Sequence, residues 1–439
     1  MTESRKQKIG IIGAGYVGLV NAVCLAEIGH RVWCFDYDAG KVERLNSGVV
    51  DILEPDLPEL LAGGLDAGRL TFHTTAEEAL PEAEIVMICV DTPTDPQIGP
   101  DLTRLMSAVG SVAEHAERAE ILVLRSTVPP GTSILAEEEF SRLNGSRGIS
   151  VVSHPEFFQE GRAVEDCRRP LRIVVGSRDK DAAARVAGLW NMPDVPTVVS
   201  DLESAEMTKQ ASNAFLAAKI SFINDIARIC DAVGADIDTV AEGMGLDPRI
   251  GSRYLKAGVG FGGSCLPKDL RALVASARSH GWEPRTLTAA IEVNETQRRL
   301  VSELLAERLG SLSGKTIALL GLVFKPDTSD LRDSPAVAIA GLLIEGGATV
   351  VATDPAVHGG EPEIPVGVRL ADDAYSAAAG AMAVVLATEW DAFTALDWSR
   401  MADAMEGTLV VDGRNTLDPV IIRDADLDYV GIGRGTVAG

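Results

Sequence analysis

The residues best suited to chemistry lie in Gly258-Val-Gly260-Phe-Gly262-Gly263-Ser264-Cys265-Leu-Pro267-Lys268-Asp269. A cation close to a thiol lowers its pKa and raises the thiolate fraction. A thiolate beside a hydride acceptor can add to an aldehyde. The thiohemiacetal then loses a second hydride and becomes a thioester. The bland alternative is a small buried hydrophobe in a glycine turn. Four glycines in six residues (258, 260, 262 and 263) carry a heavy entropic cost. A ligand touching the backbone would account for that cost. Cys24, Cys34, Cys89, Cys167 and Cys230 lack this setting and read as packing residues.

Two further groups stand out. Glu206, Lys209 and Asn213 fall at i, i+3 and i+7, on one helix face. They are either a solvated face with an ion pair, or a Lys and an Asn that hold an oxyanion. Gly13-Ala-Gly15-Tyr16-Val17-Gly18 follows an apolar run and opens a helical pattern. Such glycines let the chain turn tightly and approach a pyrophosphate at the helix N-terminus. Asp36 follows Gly18 by 18 residues, at the end of a second apolar run. A carboxylate there accepts from a ribose 2′-hydroxyl and repels a 2′-phosphate, which favours NAD over NADP.

These groups need elements to position them. Strand patterns run over Lys8–Ile12, Arg31–Asp36, Ile85–Val90, Ile121–Ser126, Ile149–Ser153 and Arg172–Gly176, alternating with helical patterns. Ser200 with Glu203 fits a capping box opening a helix. From there to about Arg308 the pattern is almost wholly helical, broken by the second glycine loop. Thr316–Gly321, Thr349–Asp354, Met382–Ala387 and Leu409–Asp412 then read as strands again. The expected fold is α/β: two Rossmann-like doubly wound parallel sheets joined by a helical domain. The expected domains are 1–200 (NAD), 201–310 (helical, with the cysteine loop and the dimerisation face) and 311–439 (nucleotide sugar).

The 439 residues carry 40 Lys and Arg against 64 Asp and Glu, a net charge of −24. Such a field repels nucleic acid and anionic lipid, so neither is an expected partner. The six cysteines form no C-x-x-C pair, no metal site is expected, and reduced thiols fit a cytoplasmic protein. No 18-residue apolar run and no apolar stretch with a cleavage site appear, so neither a membrane span nor a signal peptide is expected.

Taken together and in this order, the motifs resemble those of the UDP-glucose/GDP-mannose dehydrogenase family. The resemblance runs nearly end to end. It takes in Gly13–Gly18, Asp36 with Lys41–Gly48, Thr92-Pro93, Ser126–Thr132 and His154–Gly161. It continues through Lys209-x3-Asn213, Gly262–Asp269, Phe324-Lys325, Asp330–Pro335 and Asp412–Asn415. It implies two NAD-dependent oxidations of a sugar C6 alcohol to a carboxylate, with Cys265 as nucleophile. Lys209 and Asn213 would stabilise alkoxide and oxyanion. Asp269 and Thr127 would orient Lys209, Cys265 or the hydrolytic water, and Glu156 and Glu160 would serve as acid/base and water-handling carboxylates. For NAD it implies Gly13, Gly15, Tyr16, Val17, Gly18, Asp36, Lys41, Thr92, Thr127, Glu160, Lys268 and Arg332. For the nucleotide sugar it implies Glu156, Phe157, Phe158, Gln159, Lys209, Asn213, Tyr254, Leu255, Lys256, Ala257, Gly258, Gly262, Lys325 and Arg414, with Arg249 reaching a neighbouring subunit's substrate. A homodimer or higher homo-oligomer is implied as well.

His154, Gln159 and Asp91 depart from the family's usual residues. The wording around Trp390 and Asp412–Asn415 favours UDP-glucose over GDP-mannose as substrate. Two other readings stand beside this one: a single-step dehydrogenase with a structural Cys265, and a catalytically silent nucleotide-sugar sensor. Only ten lysines are present, and five (41, 209, 256, 268 and 325) fall in these motifs. A locally basic cleft within an acidic exterior is therefore expected.

Overall fold

The structure, a computed structural model, describes residues 6–95, 99–145 and 147–435. The chain divides into two compact units that meet between Ser212 and Asn213. That division falls inside one continuous helix, Leu202–Val233.

The first unit is built on an eight-stranded sheet. By first residue, its strand order is Thr197, Ile173, Ser150, Ile121, Ile85, Lys8, Arg31, Leu70. All pairings are parallel except Ser150–Ser153 with Ile173–Ser177. Central strands such as Ile85–Ile88 and Ile121–Leu124 are buried at every position. Both faces are covered, one by the core around Leu19, Val23 and Leu61, the other by that around Leu105, Val109 and Phe140. This is the uninterrupted apolar wording of a doubly covered sheet.

The second unit carries a six-stranded, wholly parallel sheet, in the order Arg369, Thr349, Thr316, Ala383, Leu409, Asp428. Helices Ile237–Gly245, Leu266–Ser279 and Arg285–Leu309 precede it in the chain. The expected class, two parallel-sheet α/β parts with helices between, is the one observed. The expectation had not included one antiparallel pairing. Nor had it included the strands Leu70–His73, Thr197–Ser200, Arg369–Leu370 and Asp428–Gly431. These four sit at sheet edges, where one side needs no partner and the apolar signal is weak.

The predicted capping box at Ser200 is not formed. Ser200 closes a strand, and its hydroxyl bonds to the Asp201 carbonyl at 2.9 Å. The cap is Asp201, whose carboxylate accepts from the Ser204 N–H at 2.7 Å.

The two sheets share a device. Gly13 and Gly321 both have φ of +99°, and each follows the first strand of its own sheet. Gly13 N–H donates to the Phe35 carbonyl, and Gly321 N–H to the Thr353 carbonyl. The next residue in each case is an aspartate that accepts backbone N–H groups. Asp36 takes Ala14 at 2.9 Å, and Asp354 takes Leu322 and Val323 at 2.7 and 3.1 Å. The helix mouths differ. Gly15 caps the Tyr16–Ile28 helix without a side-chain bond. Ser334 caps Pro335–Glu345 with its hydroxyl, taking Ala336 and Val337 N–H.

Candidate functional site

In the first unit, the three glycines of the 13–18 turn have three different causes. A Cβ on Gly13 would meet the Cys89 carbonyl at 2.8 Å, and one on Gly18 would meet the Gly13 carbonyl at 1.8 Å. A Cβ on Gly15 would meet nothing within 4 Å. Packing against the described residues does not require a glycine at 15. It stands at the N-cap of the Tyr16–Ile28 helix and makes no side-chain cap bond, which fits a phosphate. Val17 lies in that first turn. Asp36 is buried and ion-paired with Lys41 at 3.2 Å. Thr92 donates its hydroxyl to the Thr127 carbonyl at 2.7 Å, joining two expected cofactor turns. These residues fit a dinucleotide.

Glu156 and Lys209 form a buried ion pair, Nζ to Oε1 at 2.9 Å, with side chains only 6% and 4% exposed. Burial pushes the Glu156 carboxyl up, but the Lys209 charge and hydrogen bond, the Phe158 N–H and the Arg125 charge outweigh it. The net effect holds Glu156 below the usual carboxylate range. Glu206 is not the partner of Lys209. It is buried and accepts from Gly131 N–H at 2.6 Å and from Ser133 N–H and Oγ at 2.8 and 2.6 Å. That bond set closes the N-terminus of the Thr132–Asn144 helix, and burial pushes the Glu206 carboxyl up. The face is thus neither solvated nor self-paired.

Arg125, absent from the expected site, organises the 154–158 segment. It donates to the His154 and Pro155 carbonyls at 3.0 and 3.1 Å and lies over the Phe158 ring. His154 is a buried loop histidine bonded to the Val174 carbonyl at 2.7 Å, and burial keeps it neutral. Phe157 is stacked by the Arg172 guanidinium at 3.8 Å, and the Gln159 N–H donates to Asp166 at 2.9 Å. Glu160 stands half-buried between Gln159 and Gly161.

In the second unit, Cys265 occupies the N-cap position of helix Leu266–Ser279. Its Sγ lies 3.4 Å from Ser264 Oγ. None of the six cysteines is joined in a disulfide; five are buried, and Cys265 alone is partly exposed. A helix N-terminus favours a thiolate. Asp269 is fully buried one turn on. It accepts from Asn213 Nδ2 at 2.6 Å and pairs with Lys268 at 2.8 Å. Asn213 and Asp269 thus meet, a pairing the sequence had not suggested, while Lys268 is paired with its neighbour.

The glycines around Cys265 have a different cause from the one expected. A Cβ on Gly258 would meet the Gly413 carbonyl at 2.9 Å, one on Gly260 the Asn294 Oδ1 at 2.4 Å, and one on Gly262 the Asp333 carbonyl at 2.4 Å. One on Gly263 would strike the Phe324 ring at 2.8 Å. Packing within the chain, not ligand approach, requires them. The loop is clamped by residues that the sequence did not mark. Asn294 Oδ1 accepts from Phe261 N–H and its Nδ2 donates to the Phe261 carbonyl, at 2.8 and 3.1 Å. Gln297 and Asn224 hold Gly258, each at 2.8 Å. Asn294, Gln297 and Arg298 are spaced i, i+3, i+4, a signal that periodicity could have offered.

The remaining expected residues are scattered in role. Arg414 donates to the Ala387 and Phe324 carbonyls at 2.7 and 2.8 Å and pairs with Glu389. Lys325 Nζ lies 5.6 Å from the Phe324 ring centre. Arg332 pairs with Asp330 at 2.8 Å. Arg249 is 88% exposed and forks onto Asp247. Tyr254 holds a left-handed φ of +64°, Leu255 and Ala257 are buried, and Lys256 is exposed. Three of the five motif lysines (41, 209 and 268) are paired with buried carboxylates, so positive charge there is largely balanced locally.

Models of the UDP-glucose/GDP-mannose dehydrogenase family match three stretches: the NAD binding domain over residues 7–193, the central domain over 203–296 and the UDP binding domain over 318–419. The chain is 42% identical to UDP-glucose 6-dehydrogenase YwqF of Bacillus subtilis, covering 98% of each. It is 41% identical to a UDP-glucose 6-dehydrogenase of Rhizobium meliloti, over 97% of this chain and 99% of that one. A solved UDP-glucose dehydrogenase from Pyrobaculum islandicum is 38% identical, with a TM-score of 0.91 over 99% of each chain.

Proposed function

Because the chain belongs to the UDP-glucose/GDP-mannose dehydrogenase family, we propose that it oxidises the C6 alcohol of UDP-glucose to UDP-glucuronate in two steps through Cys265. It is an NAD-dependent dehydrogenase. One observation carries the finer reading: Cys265 is the single partly exposed cysteine, at a helix N-terminus beside the buried Asn213–Asp269 pair.

Bound NAD supplies a hydride acceptor. The Gly13–Gly18 turn would hold its pyrophosphate and Asp36 its ribose, with Lys41, Thr92, Thr127, Glu160, Lys268 and Arg332 around it. In the first oxidation the C6 hydroxyl proton passes to a water handled by Glu156 or Glu160 and a hydride leaves C6, giving the aldehyde. Lys209 stabilises the alkoxide by charge, and Glu156 holds Lys209 in place. In the second, Cys265 Sγ bonds to the aldehyde carbon. Asn213, oriented by Asp269, donates to the resulting oxyanion. Loss of the remaining C6 hydride leaves a thioester. Water, handled by Glu156 or Glu160, attacks it. The C–S bond breaks, the thiolate returns and the carboxylate leaves. The backbone of Glu156–Gln159, the 254–258 segment, Gly262, Lys325 and Arg414 serve the nucleotide sugar.

UDP-glucose is preferred over GDP-mannose because near-full-length relatives at 41–42% identity carry the first name. The deciding experiment is a nucleotide-sugar panel with NADH counted per sugar consumed. Two per UDP-glucose is expected. One per sugar, or preference for GDP-mannose, removes this reading.

We also propose a homodimer. The Leu202–Val233 helix buries Lys209, Gln210, Asn213 and Asn224 but exposes Met207, Phe215, Phe222, Ile229 and Val233. A helix that turns its large apolar residues outward needs a partner. A second copy would cover them and bring Arg249 to its neighbour. Sedimentation as a 46.3 kDa species at working concentration would refute this.

A further inference from the structure

Glu54 lies in the loop before helix Leu57–Asp66 and is buried. No motif marked it. We propose that Glu54 is a positioning residue which, through the Tyr16 hydroxyl, fixes the Glu156–Gly161 segment against the dinucleotide turn. The proposal rests on the roles given above to Tyr16, Glu156 and Glu160.

Four hydrogen bonds converge here. Tyr16 OH donates to a Glu54 oxygen. Gly161 N–H donates to Tyr16 OH and to Glu54 Oε2, both at 2.9 Å. Val164 N–H donates to Glu54 Oε1 at 3.1 Å. Glu54 thus gathers one residue from the first turn of the open helix and two from the segment just past Glu160. Gly161 has φ of +80°, so its place in this array cannot be taken by an ordinary residue without strain.

The strap is anchored on both sides. Asp56, two residues on, pairs with Arg168 at 3.0 Å, and Arg168 also pairs with Glu27 of the Tyr16–Ile28 helix. Burial and the Glu54 acceptor raise the Tyr16 pKa, so its hydroxyl remains a donor at working pH. A tie needed only for packing could be apolar. This one joins a residue of the Gly13–Gly18 turn to the carboxylate-bearing loop by charge-assisted bonds.

The test uses Tyr16→Phe, which removes one hydroxyl and keeps the ring, and Glu54→Gln. Hydrogen exchange over residues 156–168 is followed with and without saturating NAD, alongside equilibrium NAD titration and kcat and KM. In the wild type, NAD is expected to slow exchange in this segment. Both variants, held at saturating NAD, should lose that protection. Each should lose about tenfold or more in kcat, the scale of a hydrogen bond to a charged group. The double variant should fall no further than the weaker single. Retained protection in Tyr16→Phe, or single effects that multiply, would overturn the proposal. A wild type inactive on every nucleotide sugar would refute the proposed reaction instead, and the exchange experiment would still decide the role of Glu54.

Discussion

Replacing Cys265 by alanine is expected to cut UDP-glucuronate formation by about 10⁴-fold or more, the scale seen when a covalent nucleophile is removed. The fold should survive, because the side chain is partly exposed and its loss opens no core cavity. The first oxidation does not need the thiol. The variant is therefore expected to yield at most one NADH per sugar, with aldehyde and no carboxylate. A thiol reagent gives an independent control. Native wild type should show one fast-reacting thiol per chain and the variant none, since the other five cysteines are buried. Near wild-type carboxylate formation by Cys265→Ala would reduce Cys265 to a structural residue. The single-step reading would then stand.

Breaking the Lys209–Glu156 pair should have the second largest effect. Lys209→Met leaves the Glu156 carboxylate buried without its ion-pair partner, at a cost of about 3–5 kcal/mol. In a unit of this size that lowers the melting temperature by roughly 10 °C. Turnover should fall by about 10²–10³-fold with the loss of a charge aimed at the reacting oxygen. Adding Glu156→Gln should restore most of the stability and none of the activity. That divergence separates a catalytic pair from a packing pair. A Lys209→Met protein melting within 2 °C of wild type would defeat the argument, as would turnover recovered by the double variant. The pH dependence has a definite sign. The folded Glu156 pKa lies below its unfolded value. Its contribution is fully present above about pH 4.3, the ordinary Glu value, and is lost as pH falls through the lower folded value.

How much of this was readable in the sequence depended on how local each feature is. The Gly13–Asp36 device is written within about one βαβ unit, so residue types and spacing revealed it. The pairing of Asn213 with Asp269 was not anticipated, because 56 residues separate them. Glu54, Arg125 and Asn294 went unmarked. Each gains its role from a partner between 29 and 110 residues away, and an isolated acid, base or amide carries no trace of that. The glycines before Cys265 were misread for a related reason. The sequence exposes the entropic cost of glycine but not whether Asn294, Asp333 or a ligand fills the missing Cβ space. Edge strands were missed because half their hydrogen bonds face solvent, so their composition is free to be polar.

The recurrence of one Gly–Asp device in both sheets separates two things that a fingerprint treats as one. The left-handed glycine and the strand-end carboxylate make a corner, and both halves of the chain need that corner to turn off a parallel strand. Reception of an anion is a second, detachable property. In the proposed function it would depend on whether the following helix lacks a side-chain cap, as at Gly15, or is sealed by its own serine, as at Ser334. Glycine spacing alone therefore reports architecture. The residue standing at the helix mouth is what tells a socket from a hinge post.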